Sequence, residues 1–142
     1  MTYATQQDLI DRFGEKELKQ LTDRANVPPT TIDDTIVGRA LSDATELADS
    51  YLGKLYVLPL STVPPALVKA CADIARYYLH GKAAKDTILE DAFKQALAWL
   101  EKVAKGLVTI PAEGVMPAEA GGGSIRAKPN DRVFTRDSLR GM

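Results

Sequence analysis

One cysteine and one histidine in 142 residues leave little material for metal or redox chemistry. Cys71 has no partner for an intramolecular disulfide, which suits a reducing compartment such as the cytoplasm. Adding His80, the only histidine, still falls short of the four ligands of a usual structural zinc site. Aromatic residues are scarce at 6%, so alanine, leucine and valine must fill most of the core. Alanine-rich faces let helices approach closely and favour an all-α fold. No apolar run comes near the roughly 20 residues of a membrane-spanning helix. The opening MTYATQQDLIDRFG has no basic stretch followed by an apolar one, so no secretory signal is expected there. A formal net charge of −1 gives no case for a strongly basic nucleic-acid binder.

What is present is 45% hydrophobic residues, ordinary for a globular domain, at a length that suits one domain with a tail. Charge is uneven along the chain. Residues 1–106 hold 13 Lys/Arg against 15 Asp/Glu, whereas from Ser124 onward five basic residues face two acidic ones. The basic excess sits at the C-terminal end.

Periodicity carries the fold reading. Thr5 and Asp8 approximate a capping box before the apolar stripe Leu9, Ile10 and Phe13, and Gly14 interrupts that helix. Residues 15–22 continue as a short helix bearing Leu18 and Leu21, and Pro28-Pro29 places a loop over 26–31. Asp33 is a good N-cap for a long helix over 33–53, with Val37, Ala40, Leu41, Ala44, Leu47, Ala48, Tyr51 and Leu52 on one face. Gly53 is expected to stop it in a left-handed cap. The apolar segment 54–63, broken by Pro59, reads as a buried extended linker rather than a central strand. Pro64-Pro65 then opens a helix over 65–81 with Leu67, Val68, Cys71, Ile74, Ala75, Tyr78 and Leu79 on its apolar face. Asp86 is expected to cap the last helix, 86–106, whose stripe runs from Leu89 through Phe93, Leu97 and Leu100 to Ala104. Lys102, Lys105 and Gly106 suit its end.

The expected fold is therefore an all-α bundle of about four main helices over residues 1–110. Residues 111–142 read as a linker and an extended, partly flexible arm. Residues 111–129 contain Gly121-Gly122-Gly123 and few large apolar groups, too few to offset their own ordering entropy. The ending, NDRVFTRDSLRGM, regains anchors. Phe134, Val133 and Leu139, rimmed by Arg132, Arg136 and Arg140, are candidate contacts with a protein groove. Asp131 and Asp137 between those arginines, and a single aromatic for stacking, count against a nucleic-acid site.

Candidate chemistry is thin. His80 lies at a helix end, where a cation is favoured without any catalytic role. Cys71 shares an apolar face with Leu67 and Ile74 and reads as a buried small hydrophobe. Asp33-Asp34 and Glu90-Asp91 are helix-start charges, because neighbours along a helix point in different directions. The triple glycine has no preceding strand and no following Gly-Lys-Ser/Thr, so it is no phosphate loop. No catalytic, cofactor-binding or metal-ligating residue is expected, and no enzyme.

Three stretches resemble a known family: YATQQDLIDRFGEKELKQLTDR, ALSDATELADSYLGKLYVLPLSTVPPALVKACADIARYYLHG, and RVFTRDSLRGM. They are similar to a family of small helical proteins of Mu-like prophages, a domain of unknown function that looks related to the head–tail connector (adaptor) proteins of long-tailed phages. The resemblance implies a helical subunit that forms a homo-oligomeric ring between the portal protein and a tail or head-completion protein. It further implies genome DNA passing through without sequence-specific binding, no membrane, and a place in the virion after assembly in the host cytoplasm. The runner-up is a small helical DNA-binding or DNA-packaging factor, which the mixed charge of the helices disfavours.

Overall fold

The computed structural model describes residues 1–60 and 62–110. The expected linker and arm, 111–142, lie outside the described residues. Five α-helices follow one another: α1 (Gln6–Phe13), α2 (Glu15–Thr22), α3 (Asp34–Leu52), α4 (Pro65–His80) and α5 (Ile88–Ala104). A single 3-10 turn, Gly81–Ala84, joins α4 to α5, and there is no β-strand among the described residues. The all-α expectation holds, with three long helices and two short ones.

α4 is the centre of the bundle. α3 and α5 pack along it and touch each other, while α1 lies across α3 and α4 and α2 rests on α4. The interface is built from small and aliphatic side chains. Ala44, Ala48 and Leu52 of α3 meet Leu67, Cys71, Ile74 and Ala75 of α4, and Leu100 and Val103 of α5 close the third side, all fully buried. Leu9 and Leu18 bring the short helices into the same core. Alanine at these facing positions is what permits the close approach. Ahead of α1, the Tyr3 amide donates to Thr45 Oγ1 at 3.1 Å, and the Tyr3 hydroxyl donates to Asp49. Burial first, then Asp49, holds that phenol well above its ordinary pKa.

The helix boundaries follow local chemistry. Thr5 and Asp8 form the expected capping box, and Asp33 accepts from the amides of Thr35 and Ile36. Pro64 and Pro65 open α4, where a missing N–H costs nothing. At the end of α5, Gly106 has φ +76°, and the amides of Gly106 and Leu107 donate to Val103 and Lys102, a Schellman motif.

Three local expectations need correction. Gly53 is not left-handed; its φ is −60° and ψ −13°, and the turn continues as Leu55 and Tyr56 donate to the Leu52 carbonyl. A Cβ there would lie 3.1 Å from the Asp49 carbonyl oxygen, a tight approach that a larger residue meets only if that neighbour gives by a few tenths of an ångström. Asp86 does not cap α5. Thr87 does, through Leu89, while Asp86 takes φ +59° and gives its amide to the Glu90 carboxylate at 2.7 Å. The linker 54–63 is a compact turn at its start rather than extended throughout. It buries Tyr56 and Leu60 but leaves Val57 exposed. Tyr56 then accepts from the Ile110 amide at 3.1 Å, so the segment after α5 folds back over this linker.

Asp23 organises the loop between α2 and α3. Its carboxylate accepts from the amides of Ala25, Asn26, Thr30 and Thr31, from the Asn26 side chain at 2.9 Å and from the Thr31 hydroxyl. Those bonds, led by the Asn26 side chain, hold its pKa far below the ordinary carboxylate value. A depressed folded pKa means the stabilisation is complete above about pH 4 and is lost as pH falls through the folded value. Asp23→Asn, which presents donors to donors, is expected to speed amide exchange across 24–31 while leaving α5 protected. Its urea midpoint should also fall less than that of the parent chain on going to acid pH. Hydrogen exchange read by mass spectrometry and paired urea titrations check both.

Candidate interaction surface

No group of three or more histidine, cysteine, aspartate or glutamate side chains able to hold a metal occurs among the described residues. Cys71 is fully buried, and burial first, with the Asp49 charge second, pushes its thiol up to about 12. At neutral pH it is a protonated apolar filler, as its place on the α4 stripe implies.

His80 has a partner that its sequence neighbourhood hides. Its Nε2 lies 3.3 Å from Glu17 Oε1, and Arg76 Nη2 is 2.7 Å from the same oxygen. The Arg76 guanidinium also sits 4.3 Å over the Phe13 ring. One carboxylate on α2 and one ring on α1 are thereby fastened to one turn of α4. The arrangement braces the short helices against the long one, and nothing in it offers a substrate two reactive groups at once. Of the paired acids, Asp33 caps α3, and Glu90 binds the Asp86 amide and Lys94. The protein purified without affinity tag or chelator is therefore expected to carry no stoichiometric transition metal, and His80→Ala should leave its metal content unchanged. Elemental analysis reads this directly; one zinc per chain, lost in the variant, would contradict it.

The aromatic residues tell more. Tyr77 stacks on Phe93 with centroids 4.1 Å apart, and the Tyr78 ring stands about 6 Å from both, at 6.2 and 6.0 Å. None of the three is buried; Tyr78, expected on the buried face of α4, is 37% exposed. Ile74 and Ala75, one turn earlier on α4, are adjacent and both fully buried, so adjacency alone gives no signal that Tyr78 stands outside the core. The two tyrosines, Gly81, Lys82, Lys85 and Glu90 line an open cleft of about 440 Å³ at the α4–α5 turn. Ile88 is 80% exposed at the start of α5. Partial burial, then Asp43 of α3, raises the Tyr78 phenol. A smaller groove of about 190 Å³ lies between α4 and α5 beside Ala70, Ala96 and Trp99.

The candidate docking residues Arg132, Val133, Phe134, Arg136, Leu139 and Arg140 all lie outside the described residues. The described surface carries the cleft at the α4–α5 turn and not the segment expected to dock.

Residues 3–127 match the family described as Bacteriophage Mu, Gp36. The chain belongs to that family. It is 41% identical over 109 residues to the Mu-like prophage FluMu protein gp36 of Haemophilus influenzae, covering 76% of this chain and 74% of that protein. It is 31% identical over 137 residues to Gene product J of Escherichia phage Mu, covering 96% of each. The Mu Gp36 match spans all five helices, and the likeness to Gene product J continues well beyond Ile110. The resemblance to a Mu-like phage family is thus correct. Among the described residues, no helix is long and apolar enough to cross a membrane.

Proposed function

We propose that the chain is a structural head–tail connector (adaptor) subunit of a Mu-like phage. It assembles as a homo-oligomeric ring between the portal protein and a tail or head-completion protein, in the virion. The genome passes through the ring without sequence-specific contacts, and the subunit itself catalyses nothing. The observation that carries the reading is membership of the Mu Gp36 family joined to the open cleft lined by Tyr77 and Tyr78. Aromatic residues concentrated at a surface are characteristic of protein interfaces. In a chain poor in aromatics, Tyr77 and Tyr78 stand at an open cleft where a partner would bury them.

The rival reading, a DNA-binding or DNA-packaging factor, finds less support. Lys19, Lys69, Lys94 and Lys105 are each engaged by a carboxylate one helical turn away, so these lysines form no free basic stripe. Electron microscopy of the parent virion tests the proposal. Ring density below the portal into which the five-helix bundle fits is expected; a virion without this chain at the head–tail junction would overturn it.

A further inference from the structure

We infer that the Tyr77/Tyr78 cleft at the α4–α5 turn is the receptor for residues 130–142 of a neighbouring copy, with Phe134 as the inserted anchor. The inference rests on the ring reading above and names the contact that closes the ring.

Three observations carry it. The first is polarity. Ile110, the last described residue, is buried against Tyr56, next to the C-terminus of α3 and beyond the C-terminal end of α5. The cleft lies at the other end of α5, about 25 Å away for 17 helical residues at 1.5 Å each. A chain that leaves at one end and a receptor at the other make a head-to-tail pair, the kind of contact that generates rings when the rotation closes. The second is reach. The 23 residues from 111 to 133 span up to roughly 75 Å extended, about three times the length of the longest side of the bundle, so Phe134 can reach the far end of an adjacent subunit.

The third is chemical complementarity. Phe134 is the single aromatic in residues 111–142, and the cleft offers two tyrosine rings to receive it, one of them backed by the stacked Phe93. The segment carries both signs of charge around that anchor, Asp131 and Asp137 three residues to either side and Arg132 and Arg136 inside them. The rim carries both as well. Lys82 and Lys85 line it with no ion pair among the described residues, and Asp43 of α3 lies within electrostatic reach of Tyr78. Arginine beside exposed tyrosine adds a cation–π contact.

Photo-cross-linking of the full-length chain tests this. Benzoylphenylalanine is placed at position 134, and isotopically light and heavy chains are mixed, both in concentrated solution and in assembled particles. Cross-links between a light and a heavy chain, landing on peptides that contain Tyr77, Tyr78 or the 81–85 turn, are expected. In the otherwise unmodified chain, Phe134→Ala and Tyr78→Ala should each weaken self-association by about thirtyfold with unchanged melting. Cross-links from position 134 to another surface, to the same chain, or to the portal alone would overturn the inference while leaving the ring reading intact. So would the absence of any link between chains in both settings. Failure of the ring reading shows separately, as missing density at the head–tail junction.

Discussion

Leu100→Ala is expected to lower the unfolding free energy by roughly 2–5 kcal/mol, out of the 5–15 kcal/mol typical of a domain this size. α5 is held by few fully buried large side chains. Leu100 and Val103 are completely covered, while Leu97, Phe93 and Trp99 are only partly so. Truncating Leu100 removes transfer free energy and leaves a cavity where α5 meets α3 and α4, and the alanine-rich neighbours Ala44, Ala48 and Ala75 have no side-chain length with which to refill it. The comparison that isolates burial is Ile88→Ser on the same helix. Ile88 is 80% exposed, so its loss should change stability by no more than about 0.5 kcal/mol. Urea titrations of both variants at neutral pH decide the matter; equal midpoints would mean that α5 is held by something other than its buried face.

The contrast between those two residues shows where reading along the chain succeeds. The three long helices have their expected faces because burial follows the 3.6-residue period, and Val37, Ala44 and Ala48 sit where that period puts them. Caps are legible when a side chain bonds within three residues, as Thr5 does with Asp8 and Asp33 with Ile36. Local rules fail when two candidates compete over that distance. Asp86 and Thr87 are both good caps, and the position of Glu90, able to take the Asp86 amide, gives the role to Thr87. Gly53 shows a second kind of failure, since a glycine may serve handedness or space, and only the packed Asp49 carbonyl distinguishes them.

What the chain order hides is partnership across long separations. Glu17 meets Arg76 across 59 positions and His80 across 63, so His80 looked solitary. The aromatic cleft is hidden differently. Tyr78 is apolar enough to be assigned to the α4 stripe, yet α4 spends its inward face on Leu67, Cys71, Ile74 and Ala75 and leaves Tyr78 exposed. The sequence places its candidate docking residues at 132–140, outside the described residues, and does not anticipate the cleft at the α4–α5 turn, whose place depends on how α4 and α5 are rotated against each other.

Removing residues 124–142 is expected to leave the bundle intact and to disable assembly. Among the described residues, Leu52, Leu67, Ile74 and Leu100 join one core that runs from Tyr3 to Ile110. Far-ultraviolet circular dichroism should lose no helical signal, and the melting temperature should stay within about 2 °C, the shift that a surface change of at most 0.5 kcal/mol produces. Assembly should respond very differently. A tethered anchor makes docking intramolecular once a neighbour is in place, and repetition around a ring multiplies that advantage, so avidity can fall by about 10²–10⁴ when the arm is cut. An anchoring Phe134 would supply about 2 kcal/mol per copy and each rim arginine well under 1 kcal/mol, so Phe134→Ala alone should reproduce about thirtyfold of the loss. Sedimentation of the truncated and full-length chains, followed by pull-down on the portal, separates the possibilities. A truncated chain that sediments and binds as the full chain does would reduce residues 124–142 to a solubilising tail and leave the cleft of Tyr77 and Tyr78 to another partner.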